Sequence, residues 1–129
     1  MRKRVLVVDD EPDVVTYICS ILEDNGFETA TAADGEEAMK KVLEQRPDCV
    51  TLDISMPHTS GVRFYRWLKE SPEMRDIPVI IVTGISDDFK RFISTRRQVP
   101  PPEGYLSKPI EEESLLMLVR ALCDRGGSP

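Results

Sequence analysis

Val5-Leu6-Val7-Val8-Asp9-Asp10-Glu11-Pro12 decides the fold. Four apolar, mostly β-branched residues in a row read as a strand buried on both faces. Three acids and a proline end that run. Pro12 suits the first turn of a helix, where its missing N–H costs nothing. Val14, Ile18, Ile21 and Leu22 then recur at helical spacing, and Asn25-Gly26 closes the helix. The unit is a buried strand, a polar turn and a helix.

The same unit recurs along the chain. Phe27 to Thr31 is expected as a second strand. Asp34 with Glu37 makes a capping-box start for a helix whose apolar face carries Ala38, Met39, Val42 and Leu43, and Pro47 stops it. Cys49-Val50-Thr51-Leu52 is a third strand ending at Asp53, and after Gly61 a helix carries Phe64, Trp67 and Leu68. Val79-Ile80-Ile81-Val82 is a fourth strand ending at Thr83-Gly84. Phe89, Phe92 and Ile93 indicate a short, more basic fourth helix, broken by Pro100-Pro101-Pro102. Tyr105-Leu106-Ser107 is a fifth strand ending at Lys108-Pro109, and Leu115, Leu118, Val119 and Leu122 line a fifth helix. Alternating strands and helices imply an α/β fold: a parallel sheet with helices on both faces. Right-handed crossovers leave few topologies.

The chain has 129 residues, which suits one domain with a substantial core. Its net charge of −6 disfavours direct nucleic-acid or anionic-membrane binding. Cys19, Cys49 and Cys123 are dispersed and read as reduced, structural thiols rather than metal ligands. No apolar run is long enough to span a membrane. Val5 to Val8 is too short for a signal-peptide core, so a cytoplasmic location is expected.

Residues with usable chemistry collect at strand ends: Asp9 and Asp10 after the first, Asp53 after the third, Thr83 after the fourth and Lys108 after the fifth. Open α/β sheets bind ligands at this carboxyl edge, where the strand order reverses. With strands in the order 2-1-3-4-5, these ends are neighbours about 4.8 Å apart, and the side chains share one pocket. Crowded carboxylates repel one another, and a hard divalent cation such as Mg²⁺ relieves the conflict. A carboxylate is also a nucleophile toward phosphorus, and an ammonium and a hydroxyl stabilise the transferred group. Taken alone, Asp9-Asp10-Glu11 is also an ordinary acidic helix N-terminus, and Thr83 an ordinary strand-end hydroxyl.

Asp9-Asp10-Glu11-Pro12, Asp53-x-x-Met56-Pro57-x-x-x-Gly61, Thr83-Gly84 and Lys108-Pro109 together resemble the receiver domain of bacterial two-component response regulators. The resemblance implies a flavodoxin-like, five-stranded parallel sheet in the order 2-1-3-4-5. It implies a receiver domain over residues 1–125, and Gly126-Gly127-Ser128-Pro129 reads as a flexible tail over 126–129. Asp53 would be the phosphoacceptor, supplied by a sensor histidine kinase or phosphotransfer protein. Asp10 would hold Mg²⁺ directly and Asp9 largely through water, with Asp53 and the backbone carbonyl of Ser55 completing the set. Lys108 would pair with the phosphoryl group, with its bond to Pro109 in cis. Thr83 and Tyr105 would be switch residues reshaping the surface of the fourth helix, fifth strand and fifth helix. An output partner or a second copy would dock there.

The chain departs from that pattern at Gly84, where alanine is usual, and in the lengthened Pro100-Pro101-Pro102-Glu103 turn. The departures make the segment from Asp87 to Gly104 the least determined. Lys90, Arg91, Arg96 and Arg97 form a basic patch there, either a solvated face or part of a docking surface. His58 is assigned no role. Two other functions stay open: a pseudo-receiver that binds without cycling phosphate, and a haloacid-dehalogenase-type phosphatase. The phosphatase expects an acid where Ser55 stands.

Overall fold

The structure, a computed structural model, describes residues 2–54, 60–84 and 102–127. Among the described residues there are five strands: β1 (Arg4–Val8), β2 (Glu28–Ala32), β3 (Cys49–Asp53), β4 (Val79–Thr83) and β5 (Gly104–Ser107). Four helices are described: α1 (Pro12–Asp24), α2 (Gly35–Glu44), α3 (Ser60–Glu70) and α4 (Glu112–Gly127). α4 is the fifth helix of the sequence reading. The helix expected around Phe89 to Ile93 lies outside the described residues, as does the basic patch.

All four strand pairings are parallel, and the order is β2-β1-β3-β4-β5. Alternation along each strand builds two cores. Leu6, Val8, Val50, Leu52, Val79 and Ile81 face α2 and α3, packing on Ala38, Val42, Phe64, Tyr65 and Leu68. Val5, Val7, Cys49, Ile80 and Val82 face the other way, onto Ile18 and Leu22 of α1 and Leu115, Val119 and Leu122 of α4. The continuous apolar runs of β1 and β4 follow from this, since both faces of the sheet are covered.

Local chemistry sets the element ends. At the start of α2, Glu37 N–H donates to Asp34 Oδ1 at 2.8 Å, and Ala33 N–H donates to Glu37 Oε1 at 2.7 Å. This is the expected capping exchange, reaching one residue further back than the usual box. α1 ends in a Schellman arrangement: Phe27 N–H donates to Leu22 O at 3.0 Å and Gly26 N–H to Glu23 O at 3.3 Å. Gly26 sits at φ +90, which glycine adopts freely. The same bond corrects the second strand. Phe27 closes the helix with its N–H, so β2 begins one residue later, at Glu28.

Two other expectations change. Leu43 was placed on the apolar face of α2 but is 66% exposed. It lies about 100° round the helix from Val42, which takes the core position. α4 continues to Gly127, two residues into the segment assigned to a tail. Its anchored apolar face lets each further residue add one backbone bond. Of the three thiols, Cys49 and Cys123 are buried and Cys19 is partly so, and all are free.

One buried ion pair was not foreseen. The Lys69 side chain, 1% exposed, ends α3 beneath the sheet. Its Nζ donates to Arg75 O at 3.1 Å, to Ile77 O at 3.0 Å and to Glu103 Oε2 at 3.1 Å. Glu103 Oε1 also accepts from Val79 N–H at 2.7 Å. One carboxylate thus joins the end of α3, the start of β4 and the approach to β5. Glu103→Ala strips a buried ammonium of its counter-charge, so urea denaturation is expected to show a loss of about 2–3 kcal/mol. A loss below about 0.5 kcal/mol would show that the pair does not hold these elements together.

Candidate functional site

The register of the sheet assembles the site. Val8 pairs with Leu52, so Asp9 and Asp53 leave adjacent strands at the same level. Asp53 pairs with Val82 and Thr83 with Ser107, which brings Thr83 and Lys108 to the same edge. Lys108 N–H donates to Thr83 O at 2.9 Å, which extends the β4–β5 pairing by one step. Five of the residues singled out in the sequence, Asp9, Asp10, Asp53, Thr83 and Lys108, therefore lie at the carboxyl ends of four strands. The Lys108–Pro109 bond is cis. Ser55 lies outside the described residues. Tyr105 is 38% exposed, so its ring lies outward on β5 rather than in the core.

Burial divides the acids. Asp53 is 1% exposed and Asp9 3%, whereas Asp10 and Glu11 are exposed. Each of these four residues offers a carboxylate oxygen within 4.8 Å of the others. Asp9 Oδ1 accepts from Glu11 N–H at 2.9 Å. Asp9 Oδ2 is buried and accepts no hydrogen bond, although Lys108 Nζ is 3.3 Å away. A buried carboxylate oxygen without a hydrogen bond, among other carboxylates, fits a hard divalent cation that takes oxygen ligands.

Among the described residues, Lys108 is the cation of the site. Its Nζ donates to Glu11 Oε1 at 2.8 Å and to Asp53 Oδ2 at 3.4 Å. Burial works against its ammonium. The Glu11 hydrogen bond and the charges of Asp53, Asp9 and Glu11 outweigh burial and hold its pKa above the usual lysine range. Glu11 is a contributor that sequence reasoning missed, because acids at a helix start look like dipole partners. The available signal was its type: glutamate is a poor residue for the N-cap position it occupies. At Gly84, an added Cβ would meet Lys108 Cδ at 3.7 Å, an ordinary contact, so alanine would fit where this chain has glycine. Beside Lys108 a depression of about 430 Å³ opens between Asp13, Val14 and Tyr17 of α1 and Pro109 and Ile110.

Burial, opposed by the Glu11 amide and aided by the Asp53 charge, raises the Asp9 carboxyl from 3.8 to about 6. The folded state then holds this proton more tightly than the unfolded chain does. Its contribution favours folding below pH 3.8 and is lost as pH rises through about 6. In EDTA at pH 7, Asp9→Asn is expected to raise stability by about 2 kcal/mol over the native chain. The gain should fade toward pH 4 in thermal melts. An equal effect at both pH values would contradict the assignment.

The model of the response regulator receiver domain matches residues 5–120. Protein Rrf1 of Nitratidesulfovibrio vulgaris is 36% identical over 123 residues, which cover 95% of this chain and 84% of Rrf1. The phosphate regulon transcriptional regulatory protein PhoB of Escherichia coli is 34% identical over 127 residues, covering 97% of this chain and 53% of PhoB. The chain thus spans about half the length of that relative. The solved signal receiver domain of a signal transduction histidine kinase from Syntrophus aciditrophicus superposes with a TM-score of 0.84 at 30% identity, covering 95% of this chain and 91% of that one. Sheet order, strand-end site and relatives agree: the chain belongs to the response regulator receiver domain family of two-component signalling.

Proposed function

We propose that Asp53 accepts a phosphoryl group from the phosphohistidine of a sensor kinase or phosphotransfer protein, and that the acyl phosphate switches the output surface. The observation that carries this reading is the placement of Asp53: a buried carboxylate at the carboxyl end of β3, with an ammonium 3.4 Å from Oδ2.

The Asp53 carboxylate oxygen attacks phosphorus, the phosphorus–nitrogen bond of the donor breaks, and the departing imidazole keeps its electron pair and takes up a proton. Lys108 offsets the charge added at Asp53, and the Thr83 hydroxyl reaches the new phosphoryl oxygens. Asp10 and Asp53, with Asp9 acting through water and the Ser55 carbonyl, would hold Mg²⁺. The cation supplies positive charge that lets two anions approach. The depression at Tyr17, Pro109 and Ile110 offers a partner a surface next to the entry of the site. Catalysis is positioning and electrostatics, so the chain acts as a signalling domain with slow self-dephosphorylation rather than as a turnover enzyme.

The readout involves Thr83 and Tyr105. Withdrawal of the Thr83 side chain toward the phosphate makes room for the Tyr105 ring to move inward from its exposed place. That changes the surface formed by β5 and α4, where an output partner or second copy docks. Met117 of α4 is 71% exposed and lies on the helix of that surface. A cytoplasmic location goes with this role, and among the described residues no helix is long and apolar enough to cross a membrane.

Beryllofluoride with Mg²⁺ is expected to shift the NMR amide signals of Thr83 and Tyr105 in the native chain. In Asp53→Asn the same additions should shift neither. Equal shifts in both proteins, or none in the native chain, would contradict the proposal. No shift together with no Mg²⁺ binding would favour the non-cycling pseudo-receiver.

A further inference from the structure

Glu11 occupies the N-cap of α1 without capping it. Its backbone is extended, at φ −96 and ψ 111, and its side chain makes no cap hydrogen bond. Its carbonyl still receives the first helical bonds, from Val14 and Val15 N–H at 3.1 Å. The N-cap favours short side chains that turn back on the helix amides. Here a longer acid reaches away from the helix to Lys108 Nζ at 2.8 Å. The same ammonium is 3.3 Å from Asp9 Oδ2 and 3.4 Å from Asp53 Oδ2. Of these three carboxylates, the exposed one at the N-cap of α1 holds Lys108 most closely, not the two at the strand ends.

We infer that Glu11 is a positioning residue that restrains Lys108 in the resting site, so that phosphoryl transfer must draw the ammonium away from Glu11. This rests on the reading of Asp53 as phosphoacceptor. Several features support it. The Glu11 backbone is fixed twice, by its N–H to Asp9 Oδ1 and by its carbonyl in α1, so only the side chain is free to release the ammonium. Its side chain is 60% exposed, against 1% for Asp53, so water can solvate Glu11 when Lys108 departs. An exposed pair of this kind is worth up to about 1 kcal/mol, enough to slow a step yet easily broken. The negative charge of an incoming phosphoryl group outcompetes it at close range.

The test has two arms in the full chain. First, the ¹⁵N signal of the Lys108 ammonium is compared in the native protein and Glu11→Gln without phosphodonor. The proposal expects the signal to move as the lysine loses its nearest anion; an unchanged signal overturns it. Second, uptake of phosphate from acetyl phosphate at saturating Mg²⁺ is followed in Glu11→Gln and Glu11→Asp. Aspartate keeps the charge but turns to the helix amides. Both variants are expected to react roughly fivefold faster than the native chain. In a Lys108→Ala background, Glu11→Gln should give no further change. Acceleration by glutamine alone would assign the effect to donor repulsion and overturn the restraint, as would equal rates. A native chain that takes up no phosphate while the ammonium signal still moves would overturn the phosphoacceptor reading and uphold the Glu11–Lys108 restraint.

Discussion

The pairing of β1 with β3 is the constraint on which the rest of the site depends. Val8 opposite Leu52 sets Asp9 against Asp53. Both strands are covered on both faces by aliphatic residues, so a slip of one residue would turn the carboxylates into a core. Neither acid has much freedom to move away from the other. β2 lies on the far side of β1 and β4 on the far side of β3, so the connections diverge there and leave the carboxyl edge open.

Electrostatic tension follows. Burial alone makes Asp9 reluctant to ionise, and the neighbouring Asp53 adds to that reluctance. Lys108 answers part of the demand from β5, across the width of β4. Its ammonium is shared among Asp9, Asp53 and Glu11 rather than committed to one of them. On the function proposed for Asp53, such a site would accept further positive charge from a cation and a transferred anion. At the opposite edge of the sheet, Lys69 and Glu103 form a closed pair whose donors and acceptors point to backbone. The two lysine–carboxylate groups thus differ in kind: one is closed on backbone groups, and the other shares its ammonium among three carboxylates.

Much of this was readable along the chain. The four-residue apolar runs of β1 and β4 could be buried only as central strands, and the acids and threonine that end them had to meet at one edge. Asp34 and Glu37 marked the start of α2 because capping is local chemistry. What escaped was set by tertiary contact. Glu11 looked like one more acid at a helix start, and only the arrival of Lys108 from β5 gives it another partner. Lys69 carried no signal along the chain, because nothing nearby in sequence announces Glu103, thirty-four positions on. Phe27 was read as strand, since its hydrophobicity suits either state and the helix-closing bond from its N–H is invisible in composition. Leu43 suits the apolar face of α2 by composition, which does not reveal that its neighbour Val42 takes the core position.

The central claim is that Asp53 carries the phosphoryl group as an acyl phosphate. The direct measurement is to treat the chain with acetyl phosphate and Mg²⁺, trap the product with borohydride, and map the modified residue by mass spectrometry. Reduction converts a phosphorylated aspartate to homoserine, and homoserine at position 53 alone is the predicted result. Homoserine at Asp9 or Asp10, or a phosphoryl group that survives alkali on a hydroxyl such as Thr83, would contradict the account.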